Sequence, residues 1–357
     1  MKRIKYIILI ATVLVAGLTG CAKPNPAEMT DAGLRSENSA NVTETDVRNE
    51  DSVNVTEADI KDESSALSEN AGEESEQIIF KDALEREVTV SDPQRVAILL
   101  GSFTDVWYLA GGEVVATVKD AWTSFDLGLP ESVVNVGSFL SPDLEQLLAA
   151  EPDFVIASAG SDAQIELLDT FESAGVNVAY FEVSDFNDYL DMLDICTKIT
   201  GKRENYEKYG TEVGKRIEEV KREADNKRGD LQPTVLFIRA AASSVKAKGS
   251  EGTVGGEILA DLGCINIADS DGAILEDLSL EAIVTADPDY IFVTTQGEDT
   301  EAALAGVREL LMNNPAWAGL SAVKNGNYYE IEKELYNSKP NARWGEAYEK
   351  LAEIIFG

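Results

Sequence analysis

"LEQLLAAEPDFVIAS" at Leu144–Ser158 and "LEAIVTADPDYIFVT" at Leu280–Thr294 follow one pattern. Each opens on Leu-Glu, continues as an apolar helical run, turns at acid-Pro-Asp and enters an apolar strand. Glu145 precedes Pro152 by the interval that separates Glu281 from Pro288. A helix-to-strand unit that recurs about 136 residues further on predicts two similar lobes, each holding one copy.

The surrounding sequence supports this division. Short β-branched runs at 95–100, 113–118, 154–158 and 176–181 precede the midpoint, and others at 234–239, 265–268, 290–295 and 327–331 follow it. Helical stretches lie between them, which predicts an α/β protein with largely parallel sheets. The first lobe is expected over 79–200 and the second over 229–357. Between them, residues 201–228 are rich in Glu, Lys and Arg at helical spacing and poor in apolar residues. That pattern predicts one long, solvent-exposed connecting helix.

The chain starts with Lys2, Arg3 and Lys5, then an apolar run to about Leu18 and "LTGC" ending at Cys21. This is the form of an export signal over 1–21, its apolar run too short to span a bilayer comfortably. The alternative is an uncleaved membrane anchor, and either one puts the body outside the cytoplasmic membrane. Residues 22–78 carry fifteen acids, four bases and no aromatic residue. Such a segment cannot bury enough apolar surface to offset its ordering entropy, so a disordered acidic tether is expected. As a flexible coil it would reach on the order of 40 Å.

Net charge is −35, with 30 Lys and Arg against 65 Asp and Glu. A surface of this sign repels nucleic acid. The chain contains no histidine, which excludes a Ser-His-Asp triad and histidine-ligated zinc or haem. Cys21, Cys196 and Cys264 lie far apart, so neither a CxxC metal site nor a disulfide framework is indicated. Cys196 and Cys264 are expected to be small buried thiols.

"LTGC" resembles a bacterial lipobox, in which the cysteine becomes the lipidated first residue. The order of lipobox, acidic tether, lobe, long helix and lobe resembles a substrate-binding lipoprotein of an ABC importer. So do "SPDLEQLLAAEPDFVI", "LSLEAIVTADPDYIFV" and the C-terminal "KPNARWGEAYEKLAEIIFG". The class resembled takes up ferric siderophores, haem and cobalamin, and the likeness covers about Ile79 to Gly357. It implies two Rossmann-like lobes joined by one rigid helix, a ligand cleft between them, and no catalytic residues. It also implies a monomer anchored by lipid at Cys21 to the outer face of the bacterial cell membrane, with a membrane permease as partner. In that class a surface glutamate on each lobe docks onto permease arginines, a role the resemblance carries to Glu145 and Glu281. Without the resemblance, each is an ordinary first-turn glutamate favoured by the helix dipole.

In α/β sheets ligands bind beyond the carboxyl ends of the strands. Phe103, Trp122, Phe125, Phe139 and Tyr336 fall in such loops and are candidate walls for a bulky ligand, capping of a lobe core being the alternative for each. Lys119, Arg239, Lys246, Lys248, Lys339 and Arg343 are candidate contacts to an anion, Arg239 first among them at what is expected to be a strand's very end. Arg343 has an alternative partner in a carboxylate of the last helix. The predicted ligand is a ferric siderophore of catecholate or carboxylate type, with no resident cofactor and no metal bound directly by the protein. A corrinoid or haem is the alternative within the class. An enzyme on this fold, or a surface adhesin, is the alternative outside it, but no nucleophile-base pair or phosphate-cradling loop is visible.

Overall fold

A computed structural model describes residues 77–297 and 299–357. The export signal, Cys21 and residues 22–76 of the expected tether lie outside the described residues. The expected limit of the tether at 78 overlaps the first strand. Ile78 opens β1 (Ile78–Lys81), which pairs antiparallel with β2 (Glu87–Val90).

The first lobe is built on β3 (Val96–Ile98), β4 (Ala116–Thr117) and β5 (Val134–Asn135). A small antiparallel ribbon of β6 (Gly137–Ser138) and β7 (Ser141–Pro142) follows, then β8 (Phe154–Ser158) and β9 (Asn177–Phe181). The sheet order is β5-β4-β3-β8-β9 and every pairing is parallel. Alternation along the strands sends Ala97, Val155, Ala157 and Tyr180 to one apolar core, and Val96, Ile98, Phe154, Ile156 and Phe181 to another. Both faces are covered, as a parallel sheet requires.

The second lobe comprises β10 (Thr234–Ala241), β11 (Ser244–Lys248), β12 (Ile265–Asn266), β13 (Tyr290–Gln296) and β14 (Tyr328–Glu330). Its order is β11-β10-β13-β14, with β12 beside the start of β10. All pairings are parallel except that of the edge strand β11, which folds back on β10 as a hairpin. Lys246 and Lys248, candidate contacts beyond a strand end, belong to segment 244–248. The segment is instead a strand, because Ala247 is buried and Val245 packs against the same lobe core while Lys246 faces solvent.

The repeated unit has the same local chemistry in both lobes. Helix Leu144–Ala149 is capped by Asp143, whose Oδ1 accepts the Gln146 N–H, and helix Leu280–Ala286 by Ser279, whose Oγ accepts the Ala282 N–H. Glu151 and Asp287, each just before a proline, have positive φ. Asp153 then accepts the N–H groups of Gln94 and Arg95 at 2.8 and 2.9 Å, ahead of β3. Asp289 accepts the Thr234 N–H and hydroxyl, both at 2.8 Å, at the start of β10. The recurring Pro-Asp is therefore a clasp that ties each unit to the first strand of its lobe's sheet.

Between the lobes the chain is helical from Arg203 to Arg228, with a π-helical stretch at Glu207–Thr211. The expectation of a wholly solvent-exposed helix needs correction. Ile217, Val220 and Ala224, spaced by three and four, are buried in a core that also holds Ala347, Tyr348 and Leu351 of helix Trp344–Phe356. That core includes Val96, Phe154 and Phe181 of the first lobe and Val235, Phe237 and Phe292 of the second. One continuous apolar body thus holds the two lobes and the bridging helix together. Among the described residues, no helix is long and apolar enough to cross a membrane.

Candidate ligand cleft

A cleft of about 530 Å³ lies at the carboxyl ends of β3, β4, β8, β10 and β13. Its first-lobe wall carries Lys119, Asp120, Phe125, Phe139 and several serines, and its second-lobe wall Arg239, Gln296, Lys333 and the stretch Asn337–Lys339. Seven of the lining residues are serine or threonine, four are lysine or arginine and only two carry aromatic rings.

Sheet alternation puts Arg239 there. It shares a face of β10 with Val235 and Phe237, the face that packs into the core common to both lobes. At Arg239 that face leaves the core and meets the cleft. The strand runs on to Ala241, so Arg239 is not at its very end as the sequence suggested. Burial lowers the pKa of the guanidinium from its usual value. Burial also lowers the pKa of Lys339, with Glu182 and Asp188 pulling the other way and Arg239 reinforcing it. Neither side chain has a hydrogen bond or ion pair among the described residues. Two partly desolvated cations thus converge on one cavity, a chemistry able to donate charge-assisted hydrogen bonds to oxyanions. Lys333 adds a third cation from the same wall, its Nζ 3.2 Å from the Gly297 carbonyl.

Opposite them, Asp120 is the one acid among the lining residues. Its Oδ2 accepts the N–H of Gly101 at 3.1 Å, serving the start of helix Gly101–Leu109, whose Leu100 cap offers no side-chain acceptor. Gly101 has to be glycine, since a Cβ would come within 2.7 Å of the Ala121 nitrogen. Burial raises the Asp120 pKa, and its Oδ1 has no hydrogen-bond partner among the described residues.

The floor is organised by Gln164, which is fully buried. Its Nε2 donates to the carbonyls of Leu99 and Phe139 at 2.8 and 2.9 Å, and its Oε1 accepts the Ser158 N–H at 2.8 Å. One amide thus ties together three first-lobe loops that supply lining residues.

Of the residues proposed from sequence, Lys119, Phe125, Phe139, Arg239 and Lys339 line the cleft. Phe103 does not: it is 1% exposed, in the core, edge-on to Phe181. Tyr336 is also core, its hydroxyl donating to the Ala347 carbonyl at 3.1 Å. Trp122 packs against the shared core and is absent from the lining. Lys246 and Lys248 sit on β11 outside the lining, although burial, then Arg239 and Lys246, lower the pKa of Lys248. Arg343 is committed to Glu346 of the last helix through two hydrogen bonds of 2.7 and 2.9 Å.

Glu145 and Glu281 are both exposed, each the second residue of its helix. Cys196 and Cys264 are free and buried, which pushes the Cys264 thiol up to about 12. Sequence reasoning passed over Gln164 and Asn337, and left Lys333 out of the candidate set. The serines had one visible signal, the dipeptide Ser-Phe at 102–103, 124–125 and 138–139.

Residues 96–335 match the family described as periplasmic binding protein. The Fe(3+)-citrate-binding protein YfmC of Bacillus subtilis (strain 168) is 27% identical over 261 residues, covering 71% of this chain and 78% of that protein. Among solved structures, S. aureus SirA complexed with staphyloferrin B superposes with a TM-score of 0.61 at 21% identity, covering 78% of this chain and 97% of that one. S. aureus IsdE complexed with haem gives a TM-score of 0.62 at 14% identity, covering 74% and 99%. The two structures establish the fold as that of a two-lobed binding protein.

Proposed function

The chain belongs to the periplasmic binding protein family, and from that premise we propose that it captures an anionic ferric siderophore outside the cytoplasmic membrane and delivers it to an ABC importer permease. It acts as a monomeric lipoprotein held by lipid at Cys21, and it binds its ligand without chemical turnover. Glu145 and Glu281, one at the same place in each copy of the repeated unit, meet cationic residues of the permease. Such exposed charges favour orientation and association rate over raw affinity.

The observation that carries the ligand class is a pair of cations, Arg239 and Lys339, with no hydrogen bond or ion pair among the described residues, in a cleft that also presents seven serine or threonine residues. The described lining residues include no tyrosine, cysteine or methionine, and the chain has no histidine. The usual haem-iron ligands are thus missing from the described lining, and on this reading the ligand arrives with its iron already chelated. With two phenyl rings the cleft has little surface for stacking a large macrocycle. Hydroxyls and cations suit a carboxylate-type chelate, which agrees in chemistry with the ligand named for YfmC.

Calorimetric titration of the soluble folded region with ferric citrate, iron-free citrate, a neutral ferric trihydroxamate, haem and cobalamin tests this proposal. Ferric citrate should bind saturably, more weakly at high salt, and be recovered unchanged. Tight, salt-insensitive binding of cobalamin or haem with no response to any ferric chelate would refute it.

A further inference from the structure

The stretch from Asn337 to Lys339 supplies the second-lobe wall of the cleft, and its chain runs through Pro340 directly into Asn341. Asn341 is fully buried with φ of 52°, a conformation that asparagine tolerates better than most residues. Its Nδ2 crosses to the other lobe. There it donates to the carbonyl of Ser102 and to Oδ2 of Asp105, both at 2.8 Å. Ser102 itself lines the cleft, from the first turn of helix Gly101–Leu109. The side chain two residues beyond Lys339 therefore grips the helix that carries part of the opposite wall.

Asp105 and Asn341 make a poor case as ordinary core residues. The Asp105 carboxylate is largely withdrawn from water and, among the described residues, has no ion-pair partner, only the Asn341 amide. The buried Asn341 Oδ1 has no hydrogen-bond partner among the described residues. An apolar pair would fill the same space without desolvating a charge, so the polar pair has to be explained by what it fixes rather than by net stability. What it fixes is the placement of the 337–341 loop against the first lobe. The shared apolar core is non-directional, whereas two hydrogen bonds to one amide define position and angle.

We infer that Asn341 is a positioning residue for the ligand: with Asp105 and the Ser102 carbonyl it forms an inter-lobe latch that sets Lys339 opposite the first-lobe wall before ligand arrives. The inference rests on the proposed role of the cleft. Holding the cation in place beforehand removes an ordering cost that binding would otherwise bear.

The test is a double-mutant cycle between Asn341→Asp and Lys339→Gln, read as ferric citrate affinity by calorimetry, with thermal unfolding recorded for every variant. Asn341→Asp keeps the shape and the tolerance of positive φ but presents an acceptor to two acceptors. Asn341→Gly keeps the backbone conformation and removes both hydrogen bonds without adding a charge. If the latch positions Lys339, each Asn341 variant weakens ferric citrate binding about tenfold or more in the wild-type background. In the Lys339→Gln background the same change then has less than about a threefold effect. Full additivity of the Asn341 and Lys339 losses would overturn the inference, since a merely structural contribution to fold stability does not depend on Lys339. Wild-type affinity in Asn341→Gly would overturn it as well. If wild type binds no ferric chelate, the functional proposal itself fails and this inference falls with it; additivity in a protein that binds ferric citrate removes only the latch.

Discussion

Lys339→Met keeps most of the unbranched side chain and removes its charge. In the folded protein burial lowers the Lys339 pKa below its ordinary 10.5, ahead of the opposing pull of Glu182 and Asp188. The unfolded chain therefore holds this proton more tightly than the folded one. Keeping the ammonium charged in the cleft at pH 7 costs stability, and that cost is relieved as pH rises through the window just below 10.5. Methionine abolishes it. The ligand-free variant should therefore be more stable than wild type at pH 7, read as a higher Tm, each kcal/mol being worth about 2–4 °C in a protein of this size. Binding should move the other way. Loss of one charge-assisted hydrogen bond to a ligand oxygen costs about 1.5–3 kcal/mol, or roughly 10- to 150-fold in Kd. Differential scanning calorimetry between pH 6 and pH 10 and titration with ferric citrate read the two effects separately. The stability gain should shrink as pH approaches 10. A fall in Tm at pH 7 would show that the Lys339 charge is not held at a cost, and an unchanged Kd that it does not face the ligand.

Three further outcomes follow from the geometry. Gln164→Leu leaves the Leu99 and Phe139 carbonyls and the Ser158 N–H without their partner; it should lower stability by at least about 2 kcal/mol in denaturant titration and weaken ligand binding too, as the loops lose their common anchor. Phe103→Ala should cost about 3–5 kcal/mol of stability, as a buried core ring does, yet leave the Kd of the protein that remains folded within about threefold, because Phe103 does not line the cleft. Glu145→Arg with Glu281→Arg should leave binding in solution unchanged and abolish uptake in cells, and normal uptake by the double variant would remove the docking assignment.

What the sequence made visible and what it hid have different physical origins. The repeated unit was legible because it is local: a cap, an apolar run, a proline turn and a strand lie within about fifteen residues, and each step has its own residue preference. The alternation that places Arg239 beside Phe237 is equally local. Phe103 and Phe125 share the same dipeptide, yet one is core and the other cleft. Phe103 belongs to an apolar helical series with Val106, Trp107 and Ala110, a spacing that sequence alone displays and that outweighs its place just after a strand. Trp122, in contrast, turns to the core from a four-residue helix, too short for periodicity to decide its direction. Lys246 and Lys248 were misplaced because "SVKAK" is a brief edge strand with small apolar residues, a weak alternating signal. Gln164 and Asn341 were invisible for a deeper reason. Their partners lie 65 and 239 positions away, and no local preference marks an amide whose task is to join distant loops.

The central claim is that the ligand is a ferric chelate held between Lys119 and Phe125 of one lobe and Arg239 and Lys339 of the other. Diffraction at the iron absorption edge from crystals grown with ferric citrate tests it most directly. A single anomalous peak within that cleft, surrounded only by chelate oxygens with Arg239 and Lys339 facing the outer carboxylates, is the predicted result. Iron coordinated by a protein side chain, or a peak outside the cleft with the cleft filled by solvent, would contradict it.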